Sequence, residues 1–257
     1  EYTRCRPAAS SERILSELMA GQVDYDLVTV FDPLILQYKK AAVLAGPFDW
    51  SGLFGIRPVY ISPDRYFVGS GSSTDGIVYN SKLVPKERAP KDWDDCLDPY
   101  WKGRFVVDNR GGSFVRLYPG WGKEKLLDYA RRLAANKPVW IRGQTEILPQ
   151  IASGEHLMMC GAFLPPALSL LSQEPGASLT IVIPREVGAE LYATVAVVKK
   201  ASYPNAALLL AGYLASDEGQ KAYRSVFRDS PFDEGSEFGK RIKAAGAKVY
   251  FAGWNFT

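Results

Sequence analysis

The chain has 257 residues, 47% of them hydrophobic and 23% charged, with a net charge of +3. That composition excludes disorder, collagen-like repeats and low-complexity scaffolds, and it leaves room for one large domain or two modest ones. Basic residues lie among acids throughout, as in KDWDDCLDPYWKGR at 91–104, so no basic tract marks a nucleic-acid binder. No apolar run approaches the roughly 18 residues of a membrane span. A charged start, a short apolar stretch and a cleavage site are also missing, so any signal peptide has been removed or was never there.

In chain order, residues 1–5 read as extended and Ser10 as the cap of a helix that ends at Gly21, with Ile14, Leu15, Leu18 and Met19 on one face. Asp26–Phe31 (DLVTVF) is the short β-branched run of a strand buried on both faces, and Leu34–Lys40 follows as a short helix after Pro33. Val59–Ile61 and Tyr66–Gly69 read as strands, Ser70–Asp75 (SGSSTD) as a flexible polar turn, and Gly76–Tyr79 as a strand. Asp92 suits the cap of a short helix, and Gly103–Asp108 is a strand. Lys123–Asn136 reads as a helix with Leu126, Leu127, Ala130, Leu133 and Ala134 inside.

Trp140–Ile141 is short and extended, and Gly143 to Thr145 leads into a helix that reaches Gly154. Leu157–Cys160, Leu179–Ile183 and Tyr192–Lys199 are strands. Pro204 opens a helix with Ala206, Leu209, Leu210, Tyr213 and Leu214 inside, and the remainder reads as polar and irregular. Alternating strands and helices predict an α/β fold with mainly parallel sheets, whose ligands sit beyond the carboxyl ends of strands.

Cys5, Cys96 and Cys160 are too far apart for C-x-x-C chemistry. Their odd number allows at most one disulfide, and all three read as small buried residues. His156 is the only histidine, which leaves no Ser-His-Asp triad or multi-histidine metal cluster to build; it reads as structural or surface. GSGSST at 69–74 has Thr where a dinucleotide fingerprint needs its last glycine, and Gly122-Lys123 is followed by Glu124, so neither is a nucleotide loop.

Two loops share a signature that can carry chemistry. Asp108-Asn109-Arg110-Gly111-Gly112-Ser113 joins a strand to a helix, with glycines for close approach, N–H groups at a helix start and a guanidinium for a carboxylate or phosphate. Arg142-Gly143-Gln144-Thr145 repeats the order of arginine, glycine, amide and hydroxyl. The candidate ligand set is therefore Arg110, Gly111, Gly112, Ser113, Arg142, Gln144 and Thr145. Phe31 and Tyr192 at strand ends, and Ser72 and Ser73 of the polar turn, complete it. No catalytic residue, metal ligand or cofactor site is read.

The stretches SSERILSELMAGQVDYDLVTV (11–30), GIVYNSKLVP (76–85), WDDCLDPYWKGRFVVDN (93–109), IASGE (151–155) and VAVVKKASYPNAALLLAGYLASDEGQ (195–220) resemble the periplasmic solute-binding proteins of ABC importers, family 1, in the branch that includes ferric-iron-binding members. The resemblance implies a fold like that of type II periplasmic binding proteins. It has two α/β lobes, each with a central sheet flanked by helices, a hinge between them and ligand trapped as they close. It places residues 1–74 and 196–257 in lobe 1, 75–195 in lobe 2, and crossing strands near 70–80 and 190–198. Members begin with a further strand–turn–helix unit of about 30 to 40 residues, which has no counterpart before EYTRCR. The expectation is an incomplete chain or a gap filled by another chain.

In ferric members the loops matching Arg110–Ser113 and Gln144-Thr145 help to bind an anion, and two adjacent tyrosines follow the G-E motif. Here Cys160-Gly161-Ala162-Phe163-Leu164-Pro165-Pro166 has no tyrosine, and hard Fe(III) favours phenolate-like oxygen. The expected function is thus a periplasmic receptor for a small anionic solute (an organic acid, phosphonate or phosphate ester) that performs no chemical step. Its partner would be a membrane permease; no nucleic acid is expected, and the state is monomeric unless another chain supplies the missing unit. Alternatives are a ferric-iron receptor, a two-lobed α/β transferase or deaminase, and the sensor domain of a regulator.

Overall fold

A computed structural model describes residues 7–22, 24–30, 34–143, 147–224 and 230–254, with residues 7–10, 192, 223 and 224 described as backbone alone. The elements run α1 (Pro7–Met19), β1 (Leu27–Val30), α2 (Ile35–Ala41), α3 (Trp50–Phe54), β2 (Val68–Asn80), β3 (Phe105–Asp108), α4 (Gly112–Val115), α5 (Tyr118–Ala135) and β4 (Val139–Ile141). They continue with α6 (Ile147–Ser153), β5 (Met158–Phe163), α7 (Leu164–Gln173), β6 (Leu179–Val182), β7 (Glu186–Val197), α8 (Pro204–Ala215), α9 (Asp217–Arg224), α10 (Glu237–Ala245) and β8 (Lys248–Phe251). By their internal contacts the residues group into two compact units: unit 1 holds 1–72, 191–225 and 253–257, and unit 2 holds 73–190 and 226–252. Both divisions fall inside long strands, one within β2 and one within β7.

Unit 2 is a sheet with a core on each face, and strand alternation decides which side chain joins which core. Ile77, Phe105, Val107, Met158 and Cys160 face one way, where α5 covers them with Trp121, Tyr129 and Leu133 and the segment 93–101 adds Trp93, Cys96 and Trp101. Val78, Val106, Met159 and Ala162 face the other way, against α6 (Leu148, Ile151), α7 (Leu164, Ala167) and α10 (Phe238, Ile242). The order β4–β3–β5 is parallel, whereas β2 pairs antiparallel with both β5 and β6. The sheet is therefore mixed rather than mainly parallel. β8 adds in parallel to the start of β7.

Unit 1 pairs β1 antiparallel with the second half of β7. Leu15 and Leu18 of α1, Ile35 and Tyr38 of α2, and Val28, Val30 and Ala196 of the strands form its core. The Tyr38 hydroxyl donates to the Ser11 carbonyl at 2.7 Å, so this buried phenol is satisfied.

Several sequence expectations change. Val68–Asn80 is one strand of 13 residues, not strand–turn–strand, because Gly and Ser side chains are small enough to be buried on both faces of a crowded sheet. Val59–Ile61 is not a strand; Pro58–Tyr60 forms a 3-10 turn with Pro at its first position. Helix α1 begins at Pro7, so Ser10 lies inside it and is not its cap. Along α5 the buried residues are Trp121, Tyr129 and Leu133, while Leu127, Ala130 and Ala134 stay exposed.

Along α8 the buried face is Ala207, Ala211, Gly212 and Ala215, and Leu209, Leu210 and Tyr213 are exposed. The small face is required: a Cβ on Gly212 would lie 2.5 Å from the Phe54 ring of α3. The C-terminal part is not irregular, since it forms α9, α10 and β8. Residues 226–252 belong with unit 2 because Phe238 and Ile242 fill its second core; the sequence expectation had placed them in lobe 1.

Cys96 and Cys160 are not two separate buried thiols but a disulfide that joins the segment 93–97 to β5 across 64 residues of chain. Cys5 and the extended reading of residues 1–5 lie outside the described residues. A cross-link over a loop of this length stabilises by roughly 2–5 kcal/mol. Cys96→Ser or Cys160→Ser should lower the urea midpoint accordingly, and a reductant should do the same to the wild type. Unchanged midpoints in both experiments would show that the bond contributes nothing.

Candidate functional site

The parallel strands of unit 2 bring two of the predicted loops together. Asp108 of β3 is in register with Ile141 of β4, and the Asn109 N–H donates to the Ile141 carbonyl at 2.9 Å. The Arg110–Ser113 turn and the Arg142 turn therefore leave adjacent strands at the same carboxyl end. β5 ends beside them, and Asp75 of β2 is in register with its last residue, Phe163. This is the sheet end at which α/β proteins place their ligands.

The turn after β3 is fixed by Asp108, which is 6% exposed. Its carboxylate accepts from the Arg110 backbone N–H at 3.0 Å and from the Arg110 guanidinium through both Nε and Nη2. The hydrogen bond to Asp108 pushes the Arg110 guanidinium up, so this arginine is already engaged within its own turn. Gly111 follows with φ at +67°, a conformation that strains residues with a Cβ. It starts α4, and the first-turn N–H groups of Gly112 and Ser113 find no acceptor among the described residues. Arg142 is exposed and has no acidic partner among them.

Behind this turn lies a buried charged network that the sequence reading missed. Arg116 sits just past α4, donating through Nη1 to Asp75 at 2.5 Å and through Nη2 to Glu190 of β7 at 2.5 Å. Ser73 donates to Glu190 at 3.1 Å. The Ser113 hydroxyl lies 2.7 Å from the Gly161 carbonyl and 3.1 Å from Asp75 Oδ1. Asp75 is 1% exposed and the Arg116 side chain 24%. Gly188 makes this approach possible, since a Cβ there would sit 2.8 Å from the Arg116 carbonyl carbon.

Burial pushes the Asp75 and Glu190 carboxyls up, against the pull of Arg116. Burial alone would lower the Arg116 guanidinium, but the charges of Asp75 and Glu190 outweigh it and push it up.

Of the predicted ligand set, Arg110, Gly111, Gly112, Ser113 and Arg142 share one sheet end in unit 2. Ser73 is tied to Ser113 through Glu190, Arg116 and Asp75. Ser72 and Ser73 are buried strand residues, not tips of a mobile turn, and Ser72 falls in unit 1. Phe31, Gln144, Thr145 and the Tyr192 side chain lie outside the described residues. The signal for the network was present in the sequence: an acid at the end of a run of small residues, and an arginine three positions after Ser113. Reading Ser70–Asp75 as a loop concealed it.

Replacing Arg116 by Met leaves the buried Asp75 and the half-buried Glu190 without their cation. A loss of about 3 kcal/mol is expected at neutral pH. Because burial raises these carboxyls, the deficit should shrink on acidification, as protonation removes the charge that Arg116 no longer balances. Urea unfolding at two pH values would check this, and a deficit that did not change with pH would contradict it.

A model of the family described as bacterial extracellular solute-binding protein matches residues 59–257. No curated protein sequence matches the chain. Among solved structures, the fold resembles iron-bound HitA from Pseudomonas aeruginosa, with a TM-score of 0.71 and 19% identity over 88% of this chain and 74% of that one. It also resembles the substrate binding protein of the ABC transporter from Agrobacterium tumefaciens, with a TM-score of 0.72 and 17% identity over 94% and 75% of the two chains. A third is the periplasmic binding protein AfuA from Actinobacillus pleuropneumoniae with fructose-6-phosphate bound, at 0.64 and 20% over 96% and 87%. The fold is that of the periplasmic binding proteins. Among the described residues, no helix is long and apolar enough to cross a membrane.

Proposed function

Given that the chain belongs to the bacterial extracellular solute-binding proteins, we propose that it is the periplasmic receptor of an ABC importer, holding a small anionic solute for delivery to a membrane permease. The family match over residues 59–257 carries the receptor role. The anionic character is supported by three groups at one sheet end: the N–H groups of Gly112 and Ser113, which have no acceptor among the described residues, and the guanidinium of Arg142. Backbone N–H groups with a nearby cation favour carboxylate or phosphate oxygens.

Arg110 supports the site in a different way from that expected of it. Its charge is matched by Asp108, so it shapes the turn and lends directed N–H groups more than net positive charge. Binding of this kind needs no chemical step, and the solute leaves unchanged. A periplasmic location agrees with the Cys96–Cys160 disulfide, since such bonds persist in oxidising compartments.

Ferric iron is the second reading, favoured by the likeness to iron-bound HitA. Against it, the stretch 160–166 offers no phenolate, and Cys160 is consumed in the disulfide. Isothermal titration with inorganic phosphate, fructose 6-phosphate, citrate, a simple phosphonate and ferric citrate separates the readings. At least one metal-free anion is expected to bind and to be recovered unaltered by mass spectrometry. Arg142→Ala should weaken it at least tenfold, about 1.4 kcal/mol. Binding of ferric citrate alone would establish the iron reading, and a chemically altered ligand would point to an enzyme.

A further inference from the structure

The network behind the turn holds two carboxyls and one guanidinium, with Asp75 nearly closed to water and the Arg116 and Glu190 side chains 24% and 22% exposed. Arg116 can neutralise only one of them, and a second bare carboxylate at 1% exposure is very costly. Hydrogen-bond accounting indicates which carboxyl gives up its charge. Glu190 receives donors on both oxygens, from Ser73 on Oε1 and from Arg116 on Oε2, as an ionised carboxylate requires.

Asp75 receives Arg116 on Oδ2, but its Oδ1 faces only Ser113 Oγ among the described residues. Ser113 has a single proton, and its shorter contact, 2.7 Å, is to the Gly161 carbonyl. An ionised Oδ1 would then meet a lone pair at 3.1 Å.

We propose that Asp75 keeps its proton in the folded protein and heads a buried donor chain, from Asp75 Oδ1–H to Ser113 Oγ–H to the Gly161 carbonyl, which clamps the Gly111–Ser113 turn and releases it when pH rises. The groups facing Asp75 agree with this assignment. Asp108 on β3 repels a charge there, Glu190 on β7 and Asp75 repel one another, and Arg116, at the α4–α5 junction, divides its own charge between Asp75 and Glu190. Arg110 is turned to Asp108. Burial pushes the Asp75 carboxyl up. The clamp lies beneath the turn of the proposed anion site but depends on no ligand, so it stands or falls separately from that reading.

The pH dependence follows from the raised folded-state pKa. The folded protein holds this proton more tightly than the unfolded chain, whose aspartate titrates near about 3.9. The stabilisation is complete below that value and is lost as pH rises through the folded-state value. Asparagine mimics the protonated acid, with its amide donating to Ser113 Oγ and its carbonyl accepting from Arg116.

The test is a carbon-13 carboxyl titration of the ligand-free protein, with the Asp75 resonance assigned through its bonds to the backbone and checked by its absence in Asp75→Asn. The Asp75 signal should still report an acid after the exposed aspartates have finished titrating. In Glu190→Gln, where Arg116 is freed for Asp75 alone, the midpoint should move down. Thermal unfolding should show Asp75→Asn gaining on the wild type as pH rises. An Asp75 signal that titrates together with the exposed aspartates would overturn the proposal, whether or not the asparagine variant folds. So would a midpoint that does not respond to Glu190→Gln.

Discussion

Arg116 is the group around which unit 2 is arranged. It leaves the chain just after α4, and its guanidinium reaches Asp75 on β2 and Glu190 on β7 at once. That single contact ties the turn following β3 to two long strands. It can form only because Gly188 leaves room for the Arg116 backbone. The position of Gly111–Ser113, and with it the direction of the free N–H groups, depends on this ion pair and on the Asp75–Ser113–Gly161 contacts beside it. A buried ion pair adds little net stability against a hydrophobic replacement. Here its geometry places the turn proposed to meet the solute.

The charge count around the turn limits how it can recognise a ligand. Asp75, Asp108 and Glu190 contribute three carboxyls against Arg110 and Arg116, and of the three arginines at this sheet end Arg142 alone has no acidic partner among the described residues. A site that held its anion by excess positive charge would look different. Oriented N–H groups become the principal donors, and such donors select by shape and direction more than by total charge.

Much of the architecture could be read from the sequence, and the misreadings have physical reasons. LVTV at 27–30 and FVVD at 105–108 are strands because β-branched and aromatic residues favour a pleated sheet, though only FVVD is buried along its whole length and Thr29 of the first is exposed, and Asp92 caps its turn as expected. SGSSTD was misread because small polar residues usually mark loops. In this protein they form the interior of a strand where Tyr60, Leu191 and the chain around Leu164 approach closely. The α8 face was misjudged for the reverse reason, since apolar bulk on a helix usually points inward. Helices packed through Ala and Gly invert that rule, because close approach needs the small residues at the contact. The loops at 108–113 and 142 could be found from glycine and arginine placement alone. The partners behind them could not, because Asp75, Arg116 and Glu190 are brought together only by strand register.

The disulfide bears on both folding and site. Cys160 lies on β5 next to Gly161, whose carbonyl accepts from Ser113, and its partner Cys96 sits in the segment capped by Asp92. The covalent bond thus anchors the strand that terminates the Asp75–Ser113 chain. The turn is held from two sides, by Arg116 from β2 and β7, and by the Gly161 carbonyl from the disulfide-bonded β5. In the proposed receptor this turn presents N–H groups that have no acceptor among the described residues, so nothing on its open side orders it. Rigidity must come from the strands beneath, and here it comes from one ion pair and one cross-link.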